Sequence, residues 1–219
     1  MSDCCDAENN PARAPDILVI GAGSAGFSAA ITAADNGAKV VIAGAGVIGG
    51  TGVNVGCVPS KTLIRATEAV HKGKDVARFH GLRGAAEILN WRALVEQKQE
   101  LVDSLRQAKY KDLLPEYPDI SYVVGRARFT GNGSEVDVDG SLYHPRKIVL
   151  ATGASAALPP INGIQNVPVL DSTRALELET LPASLLIIGV GVIGCVLCPL
   201  LSRAGINVTI CCRSWLLPA

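Results

Sequence analysis

A short, wholly apolar run, Ile17-Leu18-Val19-Ile20, stops abruptly at Gly21. Four apolar residues without polar alternation predict a parallel strand buried on both faces. Gly21-Ala22-Gly23-Ser24-Ala25-Gly26 follows, then an Ala-rich, helix-favouring stretch over 27–36, with Gly37 where a helix-ending glycine belongs. Residues 39–43 are a second apolar run. Strand, glycine turn, helix, glycine and strand within about 30 residues make one βαβ unit. The pattern returns late in the chain. Residues 185–188 are apolar, Gly189-Val190-Gly191-Val192-Ile193-Gly194 follows directly, a helical segment runs to Arg203, and 207–211 give the next strand. One supersecondary unit is therefore present twice.

Between the two units the periodicity changes. Residues 59–72 are expected to be helical, and so are 91–114, with Leu94, Val95, Leu101, Val102 and Leu105 on one stripe. Over 120–150 short alternating runs are punctuated by Gly131-Asn132-Gly133 and Asp139-Gly140, which predicts a small antiparallel meander. Residues 147–151 return to a buried strand, and Leu158-Pro159-Pro160 begins a connector. The expected fold is α/β: a doubly wound Rossmann-type domain with an inserted meander, plus the first βαβ unit of a second such domain. In chain order this gives a mobile tail over 1–15, a first domain over 16–160, a connector over 161–184, and a truncated second domain over 185–219, which lacks the later strands that would cover it.

Composition narrows the function classes. The 219 residues are 48% hydrophobic but only 4% aromatic, with 23 glycines, which suits an α/β protein better than a β-sandwich. Lys and Arg number 20 and Asp and Glu 20, so no net field draws in nucleic acid or an anionic membrane. No run of apolar residues is long enough to span a bilayer, and the first residues lack the apolar core of a secretory signal. Seven cysteines, at 4, 5, 57, 195, 198, 211 and 212, suggest reduced thiols in a cytoplasm.

The two glycine patterns supply the first chemistry. In such a turn the first glycine allows the tight bend, the second lets backbone approach a pyrophosphate, and the third lets helix and strand pack closely. The helix start then presents N–H groups and partial positive charge to the phosphates. Two such turns imply two nucleotides. That points to an enzyme moving electrons from a nicotinamide to a flavin.

The segment Gly49-Gly50-Thr51-Gly52-Val53-Asn54-Val55-Gly56-Cys57-Val58-Pro59-Ser60-Lys61 resembles the redox-active segment of the flavin-dependent pyridine nucleotide-disulfide oxidoreductases. Its continuation through Thr62-Leu63-Ile64-Arg65-Ala66 is similar to the mercuric reductase branch of that family. So are Ala108-Lys109-Tyr110, and Ala151-Thr152-Gly153-Ala154-Ser155 followed by Pro159-Pro160. The resemblance runs over about residues 15–219 and implies the N-terminal portion of such an enzyme, a homodimer at full length. It implies hydride transfer from NADPH to FAD and reduction of thiolate-bound Hg²⁺ to Hg⁰. Hg²⁺ is a soft ion that prefers thiolates, and a thiol at the start of the helix at 59 sits where the helix dipole favours an anion.

Carried over residue by residue, the resemblance gives Cys57 as the thiol that binds Hg²⁺ and contacts the flavin, with Lys61 beside the ring. Gly21, Gly23, Ser24, Ala25, Gly26, Gly46, Gly50, Thr51, Ala151, Thr152 and Gly153 fall on FAD-lining positions. Gly189, Gly191 and Gly194 fall on the NADPH turn, and Arg213 is placed to pair with a 2′-phosphate.

Three positions depart from the family. Gly52 stands where the other redox cysteine belongs, Gly44 where a ribose-binding carboxylate belongs, and Val196 where a glutamate pairs with the lysine at 61. These departures leave two alternatives open. One is a single-cysteine FAD-dependent NAD(P)H oxidase or peroxidase, or an enzyme like dihydrolipoamide or glutathione reductase. The other is a catalytically impaired flavin- or nucleotide-binding fragment. Cys4-Cys5 reads as a pair of free thiols, Cys195 and Cys198 as small core residues of a helix packed on the sheet rather than, with Cys211 and Cys212, a zinc site, and the three histidines as surface or hinge residues.

Overall fold

Asp16 fixes the starting ends of three strands. Its carboxylate accepts from the Lys39 backbone N–H at 3.0 Å and from Arg146 Nη1 at 3.2 Å, and its carbonyl accepts from Lys147 N–H at 3.0 Å. The Lys39 hydrogen bond and then the Arg146 guanidinium hold this carboxyl below its ordinary pKa. From here run β1 (Ile17–Ile20), β2 (Val40–Gly44) and β7 (Lys147–Leu150), all parallel. The computed structural model describes residues 14–131 and 133–212. The tail expected over 1–15 lies almost wholly outside them, as do Cys4-Cys5, Asn132 and Arg213.

The described residues divide into two compact units that interleave in sequence: those up to 54 with those of 103–155, and 55–102 with those from 156 on. This grouping differs from the chain-order division, because the helical stretch after residue 54 packs with the later segment.

In the first unit the sheet order is β3-β2-β1-β7, where β3 is Ile120–Val124. Leu18 and Val19 are fully buried, one on each face, as an unalternating apolar strand requires. Helix α1 (Ser24–Asp35) covers one face through Phe27 and Ala30. Gly37, at φ +81°, ends it by donating to the Ala34 carbonyl. The other face is covered by the antiparallel strands β4 (Ala127–Phe129), β5 (Val136–Val138) and β6 (Ser141–Tyr143), through Val136, Val138 and Tyr143. Asp139 and Gly140, both at positive φ, make the β5–β6 turn. One expectation is corrected here: the meander spans only 127–143, because β3 pairs in parallel with β2.

In the second unit, α3 (Cys57–Asp75), α4 (Trp91–Arg106, whose last residues belong to the first unit), α5 (Ser172–Leu176) and α6 (Val192–Arg203) pack around Leu63, Trp91, Leu176, Leu200 and Leu201. Trp91 Nε1 donates to the Leu178 carbonyl at 2.7 Å. Strands β8 (Ser184–Ile188) and β9 (Asn207–Cys211) pair in parallel beside α6. Helix α4 also corrects the expected stripe. Trp91, Val95, Lys98 and Val102 are its buried positions, and Leu101 is 41% exposed. Residues 95, 98 and 102 recur at the helical repeat, and Leu101 points about 100° away from Val102. The helix stops at Arg106 rather than 114, where a wider turn, Gln107–Lys111, takes over.

Candidate nucleotide site

Doubly wound sheets bind ligands where the strand order reverses, beyond the carboxyl ends of the strands. Here β1 passes the chain to β2 on one side and pairs with the much later β7 on the other. A cleft of about 520 Å³ opens at that point, lined by the ends of β1 and β2 and by the turns that follow β1, β2, β3 and β7. The volume lies within the usual range of small-molecule pockets, about 300–1,000 Å³.

The turn after Ile20 is built from close backbone approaches. Gly21 has φ +121°, and a Cβ on it would collide with the Ala151 carbonyl, which β7 holds close through Ala151 N–H to Ile20 O at 2.8 Å. A Cβ on Gly26 would strike the Gly21 carbonyl oxygen, so helix and turn meet only with glycine there. A second loop then docks backbone to backbone: Gly49 N–H donates to Ala22 O at 2.8 Å, and a Cβ on Gly50 would lie 2.6 Å from Gly23 Cα. Asn54, at the end of α2 (Gly50–Asn54), ties this loop down. Its Nδ2 donates to Ile48 O and Gly50 O, both at 2.9 Å, and its Oδ1 accepts from Arg106 Nη1 at 2.8 Å. Ser24 Oγ lies 3.0 Å from Tyr110 Oη, whose ring packs edge-on against Phe27.

A surface built mostly of glycine and alanine results. Helix α1 starts at Ser24 with no side chain capping it, so its first N–H groups face the cleft end unclaimed by a cap. Gly46 and Gly153 meet nothing within 4 Å on their side-chain side. An uncapped helix start, a glycine floor and a concavity of this size fit the pyrophosphate of a dinucleotide.

Of the residues expected to line FAD, Gly21, Gly23, Ser24, Ala25, Gly46, Gly50, Thr51, Ala151, Thr152 and Gly153 all line the cleft. Gly26 is buried behind it. Gly44 and Gly52, the two positions in this loop that depart from the family pattern, also line it, as do Gly125 and Arg126, which were not among the expected residues. The signal for the last two was faint: they directly follow the apolar run at 120–124. Gly44 is buried, and a Cβ there would lie 2.7 Å from Ala22 Cβ and 3.2 Å from Tyr122 Oη. Burial pushes the Tyr122 phenol above its ordinary pKa. Gly52 is different: the nearest atom to its Cβ position is Ser24 Oγ at 3.8 Å.

In the second unit the same turn recurs. Gly189 has φ +107°, and a Cβ on Gly194 would strike the Gly189 carbonyl oxygen, the contact that Gly26 makes with Gly21. Gly191 precedes α6, again with no capping side chain. Cys57 and Lys61 are both exposed on the first turns of α3, four residues apart and so on one helix face. Val196 is half-buried in α6, which packs on α3. The expectation of core cysteines on α6 is corrected at Cys195, which is exposed with its Sγ donating to Val190 O at 3.3 Å, while Cys198 is half-buried and Cys211 and Cys212 are exposed. Among the described residues no group of three or more His, Cys, Asp or Glu is gathered to hold a metal. No described helix is long and apolar enough to cross a membrane.

Residues 15–219 match the family described as pyridine nucleotide-disulphide oxidoreductase. The mercuric reductase of Lysinibacillus sphaericus is 44% identical over 199 residues, 91% of this chain and 36% of that protein. The mercuric reductase of Shewanella putrefaciens is 39% identical over 225 residues, 99% of this chain and 40% of that protein. The chain thus spans well under half the length of these relatives. Among solved structures, the HOCl-induced flavoprotein disulfide reductase RclA from Escherichia coli superposes with a TM-score of 0.78 at 32% identity, over 92% of this chain and 43% of that one.

Proposed function

The chain belongs to the pyridine nucleotide-disulphide oxidoreductase family, and on that premise we propose that it carries the nucleotide-binding elements of an FAD-dependent NADPH oxidoreductase that reduces thiolate-bound Hg²⁺. The observation that carries this reading is the cleft at the end of β1, lined mostly by glycine and alanine, which opens on an uncapped helix start. In this reading the backbone of residues 21–26 holds the pyrophosphate of FAD, and Gly46, Gly50, Thr51, Ala151, Thr152 and Gly153 close around its length. The turn at Gly189, Gly191 and Gly194 holds NADPH. Bound FAD supplies the two-electron step between nicotinamide and thiolate-held metal. The overall change is NADPH + Hg²⁺ to NADP⁺ + Hg⁰ + H⁺.

Cys57 has the role of the metal-binding thiolate, because an exposed sulfur at the start of a 19-residue helix is a favourable place for an anion and for a soft ion. Lys61, one turn on, adds positive charge on the same face. Free thiols and this chemistry suit a reducing cytoplasm. Similarity to mercuric reductases at 39–44% identity supports the choice of substrate.

The test is NADPH oxidation by the FAD-reconstituted protein, with and without Hg²⁺. Oxidation that depends on Hg²⁺ and is lost in Cys57→Ala is expected; a flavin-loaded protein indifferent to Hg²⁺ overturns the substrate. Gly52 favours one second reading, in which Cys57 acts as a single thiol and cycles through a sulfenic acid with peroxide. Labelling of Cys57 by a sulfenate probe after peroxide, without Hg²⁺ turnover, selects that reading.

A further inference from the structure

The charge of the first cleft is inverted relative to a site with a ribose-binding carboxylate. Of the described residues that line it none is acidic, and Arg126 alone is charged. Sheet register puts the arginine there. Gly44 at the end of β2 lies opposite Val124, and Gly125 N–H donates to the Gly44 carbonyl at 3.0 Å, so the chain leaves β3 beside the end of β2 and Arg126 comes next. The end of this strand is where dinucleotide folds read the ribose. A carboxylate there takes the ribose hydroxyls, whereas a nearby arginine takes a 2′-phosphate.

The carboxylate is also excluded by packing. A Cβ at 44 would crowd Ala22 Cβ at 2.7 Å and the Tyr122 hydroxyl at 3.2 Å, so the wall has closed over the place where its stem would pass. The guanidinium of Arg126 is exposed and enters none of the described ion pairs. The carboxylate of Asp139 lies beside Gly125 but does not line the cleft.

We propose that the adenosine end of this cleft accepts a ribose bearing a 2′-phosphate, with Arg126 as the specificity-determining residue. The inference rests on the reading that the cleft holds the ADP half of a dinucleotide. A carboxylate at position 44 would repel a phosphate dianion. Its removal, together with a planar donor fork on the neighbouring strand end, turns that repulsion into attraction. Adenine dinucleotides phosphorylated on the ribose then compete with FAD for the first cleft.

The test is displacement of FAD from the purified protein, read as recovery of free-flavin fluorescence, with 5′-AMP and adenosine 2′,5′-bisphosphate as competitors. The bisphosphate is expected to displace FAD at a concentration on the order of tenfold lower than 5′-AMP, the effect of one charge-assisted contact. Arg126→Gln removes that advantage, and Arg126→Lys retains part of it. Equal displacement by the two competitors, or an advantage that survives Arg126→Gln, overturns the inference and leaves the flavin site standing. A protein that binds no FAD defeats the flavin reading alone. Calorimetric titration with the same two nucleotides then decides the inference: an Arg126-dependent preference for the bisphosphate upholds it, and no such preference overturns it.

Discussion

At Gly26 a side-chain carbon would strike the Gly21 carbonyl oxygen, whereas at Gly52 the nearest atom is Ser24 Oγ at 3.8 Å. The first glycine is held by close packing and the second is not. Gly26→Ala is therefore expected to lower stability by about 2–3 kcal/mol, the usual cost of overpacking, in urea unfolding. Gly52→Ala in the same assay stays within about 0.5 kcal/mol of the parent. Asp16 carries the clearest pH signature. Its carboxyl is held below its ordinary pKa by the Lys39 N–H and by Arg146, so its charged form stabilises the fold above the unfolded pKa. That contribution falls away as pH drops from the ordinary carboxylate range through the lowered folded value. Asp16→Asn is expected to flatten the acid side of the stability–pH curve, with denaturant midpoints converging on those of the parent at low pH.

Among the elements, the loop from β2 to α3 depends on Asn54. Its side chain makes three hydrogen bonds, to Ile48, Gly50 and Arg106, that keep Gly50 against Gly23. Asn54→Ala is expected to cost about 2 kcal/mol in urea unfolding, the loss of hydrogen bonds that include a charged partner. FAD affinity should weaken with it, because the loop forms one wall of the cleft. The turns themselves were legible in the sequence, since the contact of Gly26 with Gly21, or of Gly194 with Gly189, is made within six residues. So was the Asp139-Gly140 turn, whereas α1 starts three residues earlier than the Ala-rich stretch suggested. What escaped depended on distant register. Nothing local in Ile120–Val124 separates a parallel partner of β2 from one more antiparallel strand, and so nothing local placed Arg126 at the cleft. Lys98 on the buried stripe of α4 escaped for a different reason, since a hydrophobic count discards a lysine whose long apolar stem can be covered.

Across the whole molecule, one βαβ construction serves two compact units, each opening a glycine turn onto an uncapped helix. The duplication was plain in the sequence because both turns follow apolar runs. Burial was less so. Leu186 and Ile188 on β8 are more than half exposed although they belong to an apolar run, because β8 and β9 pair only with each other among the described residues. The role of the first cleft is most directly tested by titrating the purified protein with FAD and following flavin fluorescence quenching, alongside Gly26→Val. Saturable binding of one flavin per chain, abolished by that substitution while the second-unit variant Gly194→Val retains it, is the expected result. A correctly folded protein that leaves FAD fluorescence unchanged, or a Gly26→Val protein that still binds it, would contradict the assignment of this cleft.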